Sequence, residues 1–206
     1  MGIAKKLCAI FIVFFSCMYN AYASVESGFD KGINYEMQYP LVYTENKSAQ
    51  NKINQDIYRY IAKFKTDYNN GEFFKGWFKY DVKYEDDKLL SLTIYDGRYR
   101  GGAHEHYCVY GLVYDKRTGK RLPISNFVRL TLNSLQAYSS RHLYNEDGTK
   151  AQYERKPERV SEDYYLLGNG GLALIYEPGE LGSFGQGAIT IRLNDEDIDY
   201  FNRLNK

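Results

Sequence analysis

"EFFKGWFKYDVKYEDDKLLSLTIYDGRYR", residues 72–100, decides the fold class. Its two halves are rich in β-branched and aromatic residues and meet at Asp86–Asp87, which predicts two strands joined by a tight turn. "AHEHYCVYGLVYD" (103–115) continues as a third strand, and "KRTGK" (116–120) is a turn that brings "RLPISNF" (121–127) beside its end. Upstream, "INYEMQYPLVY" (33–43) alternates apolar and polar positions and reads as a first strand. A helix follows, with Ser48 expected at its N-cap and Ile53, Ile57, Ile61 and Phe64 at helical spacing. Tyr60 and Tyr68 widen that stripe, and Gly71 in "YNNG" suits a left-handed end.

Downstream, a mostly polar helical region is expected from about Leu130 to Lys156, its best part "LNSLQAYSSRHLY" (132–144) and its remainder an exposed connection. "DYYLLGNGGLALIYEP" (163–178) folds on itself at Gly168–Gly171, "GQGAITIRL" (185–193) is another strand, and a short helix opens near Asn194. Strands in a meander with helices before and after them predict an α+β fold: an antiparallel sheet packed against two or three helices. Residues 24–72 form a strand–helix part and 73–206 a larger α+β part, expected to make one compact unit.

The first 23 residues carry Lys5 and Lys6, a short apolar run and the small-x-small site "AYA" (21–23). They read as a secretory signal peptide, so an exported protein is expected: periplasmic, wall-associated or secreted, with no membrane span after cleavage. Cleavage would remove Cys8 and Cys17 and leave Cys108 alone, so no internal disulfide forms; Cys108 is expected as a small buried residue. Acidic and basic residues nearly cancel at +1 and are finely mixed, which excludes nucleic acid as the expected partner. The 22 tyrosines suit half-exposed strands, saccharide stacking and protein interfaces alike.

Histidine is scarce, yet His104 and His106 stand two apart in "HEH". On a strand both would face one side with Glu105 opposite, half of a metal site whose third ligand, His142 or a carboxylate, has no recognisable spacing. A histidine packed on the meander is the stronger reading. Cys108 next to His106 does not make a nucleophile, because neighbours on one strand rarely align thiolate and imidazole. The acidic runs "YEDD" (84–87) and "NDEDID" (194–199) fit a hairpin turn and a helix N-terminus. No catalytic constellation, cofactor site or phosphate-binding loop emerges.

Four segments in order carry a resemblance: "INYEMQYPLVY…INQDIYRYI", "IYDGRYR" with "GGAH" (Gly101, Gly102, Ala103, His104), "VYDKRTGKRLPISNF", and the run from Tyr164 to Leu193. Together they resemble the bacterial envelope domain found in the RsiV anti-sigma factor, and the similar non-catalytic N-terminal portion of the PdaC peptidoglycan deacetylase. The resemblance implies an α+β sensing or binding domain outside the cytoplasmic membrane, with lysozyme as a ligand in the RsiV case. Glu105 stands where the family often has glycine, and Gly179 where it has an aromatic. Neither a sigma-binding segment nor a deacetylase domain is recognised, so neither activity is expected. The function expected is therefore a non-enzymatic envelope domain binding a lysozyme-like protein or a cell-wall glycan, with Tyr99, His104, His106, Tyr107, Tyr176 and Phe184 as candidate contacts. The alternative is a metal-binding or cell-wall hydrolytic protein using His104 and His106.

Overall fold

The computed structural model describes residues 24–152 and 154–205, so the expected signal peptide lies outside the described residues. Strands β1 (Val25–Lys31) and β2 (Tyr35–Val42) form a hairpin, followed by α1 (Lys47–Asn69). β3 (Lys75–Glu85), β4 (Leu89–Tyr99) and β5 (His106–Asp115) complete a five-stranded sheet in the order β1-β2-β3-β4-β5. Then come α2 (Leu132–Ser139), β6 (Leu143–Asn145), β7 (Tyr164–Leu166), β8 (Leu172–Tyr176), β9 (Ile189–Leu193) and α3 (Asp195–Leu204). β6–β9 make a second sheet, ordered β6-β9-β8-β7. The fold is α+β, as the alternation of strand and helix signals predicts.

The meander β3–β4–β5 forms as its sequence requires, with Asp86 Oδ1 accepting from the Lys88 and Leu89 N–H groups to close the first turn. Helix α1 buries Ile53, Ile57, Ile61 and Phe64 against one face of this sheet, where Met37, Phe78, Leu90, Leu92, Ile94 and Leu112 meet it. Its N-cap is Asn46 and not Ser48: the Asn46 Oδ1 accepts from Ser48 N and Ala49 N, so Ser48 already lies in the first turn. Gly71, at φ 75°, follows the helix end.

Three expectations are corrected. β1 carries no alternating pattern of its own and pairs with β2 from Val25 to Lys31. β2 and β3 run parallel, joined by α1 as a crossover, so the first sheet is mixed. The helical region beyond Leu130 stops at Ser139; Leu143 instead enters the second sheet opposite Ile191, where it is buried. α2 and α3 close on capping boxes, Thr131 with Ser134 and Asn194 with Asp197.

The second sheet lies against the face of the first that α1 leaves free. Val109 packs with Tyr165, Ala173, Ile175 and Ala188 there, and Val113 with Tyr164 and Leu166. The Leu166 N–H donates to Ser91 Oγ, a buried polar link from β7 to β4. Gly111 makes the approach close: a Cβ there would sit 2.3 Å from the backbone N and O of Tyr164. Two carboxylates cap the outer edge of β5, Asp163 accepting from Gly111 N at 3.0 Å and Glu177 from Val109 N at 3.3 Å.

Two consequences follow for stability. Gly111→Ala sets a methyl against backbone that cannot rotate away, so a denaturant melt shows a loss of about 3 kcal/mol or more. Burial pushes the Glu177 carboxyl up to about 7, with Asp163 and Glu180 adding to the rise against the Val109 N–H and Arg159. An acid raised in this way stabilises the fold below its unfolded value of 4.5, and that stabilisation is lost as pH climbs through about 7. Glu177→Gln is accordingly as stable as the parent below about pH 4 and, allowing for partial exposure, about 1–2 kcal/mol more stable at pH 8. Equal pH-stability curves for the two proteins would show that Glu177 titrates normally.

Candidate binding face on the first sheet

Strand register sets one row of residues across all five strands of the first sheet. Lys31 pairs with Glu36, Glu36 with Trp77, Trp77 with Gly97, and Gly97 with Tyr107. Paired residues share a face, and Phe78 of the next position lies in the core under α1, so this row faces away from the helix. Lys75 and Lys79, two positions either side of Trp77, point the same way.

Gly97 shapes the row. Its missing side chain lets the indole lie across the backbone of β4; a Cβ there would fall 2.1 Å from Trp77 Cε2. The ring reaches Tyr107, centroid to centroid 6.0 Å, and Lys79 Nζ lies over it at 5.3 Å. Trp77 is half-buried, so its position is fixed while part of the ring meets solvent. Beside it opens a hollow of about 360 Å³ bounded by the β1–β2 turn, Lys75–Trp77, Lys79 and Glu105. Ile33, at the tip of that turn, is 94% exposed. A larger hollow of about 830 Å³ lies at the opposite end of the sheet, lined by Ser24, Thr44, Asn46, Lys116 and other mainly polar residues.

The 100–105 bend delivers Glu105 to this hollow. Gly101 and Gly102 take φ of 91° and 108°, which other residues rarely adopt, and Tyr99 Oη donates to Gly102 O. The bend leaves β4 after Tyr99, one residue beyond Arg98, the centre of a buried charge network. Arg98 Nε and Nη2 grip Asp96 in a bidentate pair at 2.6 Å, and Nη1 donates to Asp67 of α1 at 2.6 Å. Lys63 also donates to Asp67, and the guanidinium packs over Phe73 and Phe64. Burial alone would raise the Asp67 carboxyl, but Lys63 and Arg98 outweigh it and hold it below the usual carboxylate range. Arg98→Met leaves the buried Asp96 without its ion-pair partner and Asp67 with Lys63 alone, so it costs about 3–5 kcal/mol in a thermal or denaturant melt. A smaller loss than Lys63→Met would show that the network does not depend on Arg98.

The residues expected as contacts fall in different places. His104 and His106 are exposed and lean on Phe184, at 6.1 and 5.0 Å between centroids, in the 3₁₀ turn Phe184–Gln186. They do not share a strand face, because β5 begins only at His106 and His104 sits in the bend. Tyr99 is half-buried and pins the bend. Tyr107 is a strut between the sheets: its hydroxyl accepts from Ala188 N, donates to Glu146, and is pushed up to about 12 by burial. Tyr176 is wholly buried, its hydroxyl donating to Arg159 O, and so is no surface contact. Ala103 is exposed in the bend.

Cys108 is exposed and not buried; it stands near the start of β5, the edge strand of the first sheet. His142 stacks on Tyr138 at 3.7 Å, in the layer of α2. Among the described residues, no three His, Cys, Asp or Glu side chains are grouped to hold a metal ion. Trp77, Lys75, Lys79 and Glu36 were missed in the sequence, although Lys-x-Trp-x-Lys within a strand already places all three on one face.

Residues 28–106 match the family described as Deacetylase PdaC. That span runs from within β1 to the first residue of β5, so it takes in the Trp77 row as far as Gly97 and the Arg98 network, and it bears out a PdaC-like domain. Two solved structures share the fold. One is a DUF3298 family protein from Pseudomonas aeruginosa PAO1, with TM-score 0.57 and 10% identity over 85% of this chain and 90% of that one. The other is a member of the DUF3298 family from Bacteroides fragilis NCTC 9343, with TM-score 0.54 and 14% identity over 87% and 94%. No protein of curated function matches in sequence.

Proposed function

We propose that this chain is an exported, non-enzymatic domain of the cell envelope that binds a cell-wall glycan on the Trp77 face. One observation carries the reading: the cross-strand row Lys31–Glu36–Trp77–Gly97–Tyr107 holds an indole flat on a sheet, with charged side chains around it. A fixed aromatic ring takes the C–H face of a saccharide at little conformational cost, while lysine and glutamate reach its hydroxyls and amides. The signal-like residues 1–23 and the match to the PdaC family support an envelope location. No helix of the described residues is long and apolar enough to cross a membrane.

A lysozyme-like protein ligand is the second reading. It is favoured by exposed apolar side chains near the same end of the sheet, Ile33 and Phe74, with the His104–Phe184–His106 ledge beyond the bend.

Trp77 is the sole tryptophan, so intrinsic fluorescence reports on this face alone. Chitotetraose or soluble peptidoglycan fragments shift its emission, and Trp77→Ala lowers affinity measured by calorimetry about tenfold or more. Gly97→Ala, which displaces the indole, does the same with the ring still present. Unchanged emission and no heat with either glycan, alongside a complex with lysozyme, would replace the first reading by the second.

A further inference from the structure

Resting on the glycan-binding reading of this face, we infer that its ligand is zwitterionic: a saccharide bearing a peptide with both a free amine and free carboxylates. The inference comes from how charge is laid out around Trp77. Lys31, Lys75 and Lys79 line the hollow together with Glu36 and Glu105. None of the five joins an ion pair among the described residues, although elsewhere the surface pairs its charges freely, as in Lys83–Asp81, Lys116–Glu85 and Arg159–Glu180.

The separation is built into the strands. Lys31 and Glu36 are register partners across β1 and β2, while Lys75 and Lys79 stand two positions either side of the indole on β3. Glu105 comes from a bend whose path is set by Gly101, Gly102 and the Tyr99 hydroxyl. Both signs of charge therefore surround one aromatic platform, each with hydrogen-bonding capacity left over.

A ligand covering this hollow takes water from all five groups. A neutral saccharide leaves them short of charged partners, a polyanion meets Glu36 and Glu105, and a polycation meets the lysines. A ligand with ammonium and carboxylate groups a few ångströms apart satisfies both sets while its sugar covers the indole.

The test compares three probes on the full chain by calorimetry and Trp77 fluorescence: chitotetraose, a peptidoglycan disaccharide–tetrapeptide with free amine and carboxylates, and the same compound with its amine acetylated and carboxylates amidated. The free disaccharide–tetrapeptide binds at least about tenfold more tightly than the other two, and its advantage shrinks as salt rises. The pairs Lys75→Met with Lys79→Met, and Glu36→Gln with Glu105→Gln, each abolish its advantage over chitotetraose and over the blocked compound. Equal affinity for all three probes, or charge variants that leave the ranking intact, would overturn the inference while leaving glycan binding in place. Binding to none of them would remove both together. All four charged positions are exposed, and unchanged melting curves confirm that the variants fold.

Discussion

Strand β4 is buried on both faces, and the rest of the molecule is arranged around that constraint. Leu90, Leu92 and Ile94 face α1, while Ser91, Thr93 and Gly97 face the other way. The second set is small because two different neighbours need closeness there: β7 over Ser91, which takes the Leu166 N–H, and the Trp77 ring over Gly97. Close packing makes both contacts intolerant of added volume. β4 thus sets the separation of the two sheets at one end and the position of the indole at the other.

The network at Arg98 adds orientation to that spacing. A buried ion pair gains little stability over an apolar replacement, but it fixes geometry where every donor is used. Here three Arg98 nitrogens are bound, two to Asp96 on its own strand and one to Asp67 on α1. The helix end is thereby tied to the strand end from which the 100–105 bend departs. Glu105 reaches the hollow from a bend anchored on one side by this charge cluster and on the other by Tyr99.

Much of this was legible in the sequence, and the parts that were not share a cause. The meander, the α1 stripe, the Gly168–Gly171 hairpin and the Asn194 cap depend on local pattern and turn chemistry, which act within a few residues. The parallel β2–β3 pairing, the second sheet and the burial of Tyr176 depend on partners far along the chain. Tyrosine misled in particular, because its ring suits a surface while its hydroxyl can be satisfied inside by one carbonyl, as Arg159 O does for Tyr176. The histidines drew attention through scarcity. The proposed contact residues were instead encoded by alternation, Lys75, Trp77 and Lys79 on β3, as was the charge pair Asp96 with Arg98 on β4. In each pair of strands, spacing by two selects the face, and only register reveals what lies opposite.

That division also separates stability from recognition on one strand. Residues of β3 pointing toward α1, such as Gly76 and Phe78, are hemmed in by Phe64 and the core and admit little change. Residues pointing the other way, Lys75 and Lys79, are exposed and join no ion pair among the described residues, and Lys79 lies over the indole. The fold does not depend on an ion pair at either lysine, which leaves their charge free for the ligand contact proposed for this face. Trp77 stands between the two cases, since its ring is held by Gly97 and Tyr107 yet remains half-exposed. An aromatic needed only for packing would be better placed one residue on, with Phe78 in the core; at position 77 the sheet spends its largest side chain on the side facing water, which is the arrangement expected of a surface built to be covered by a ligand.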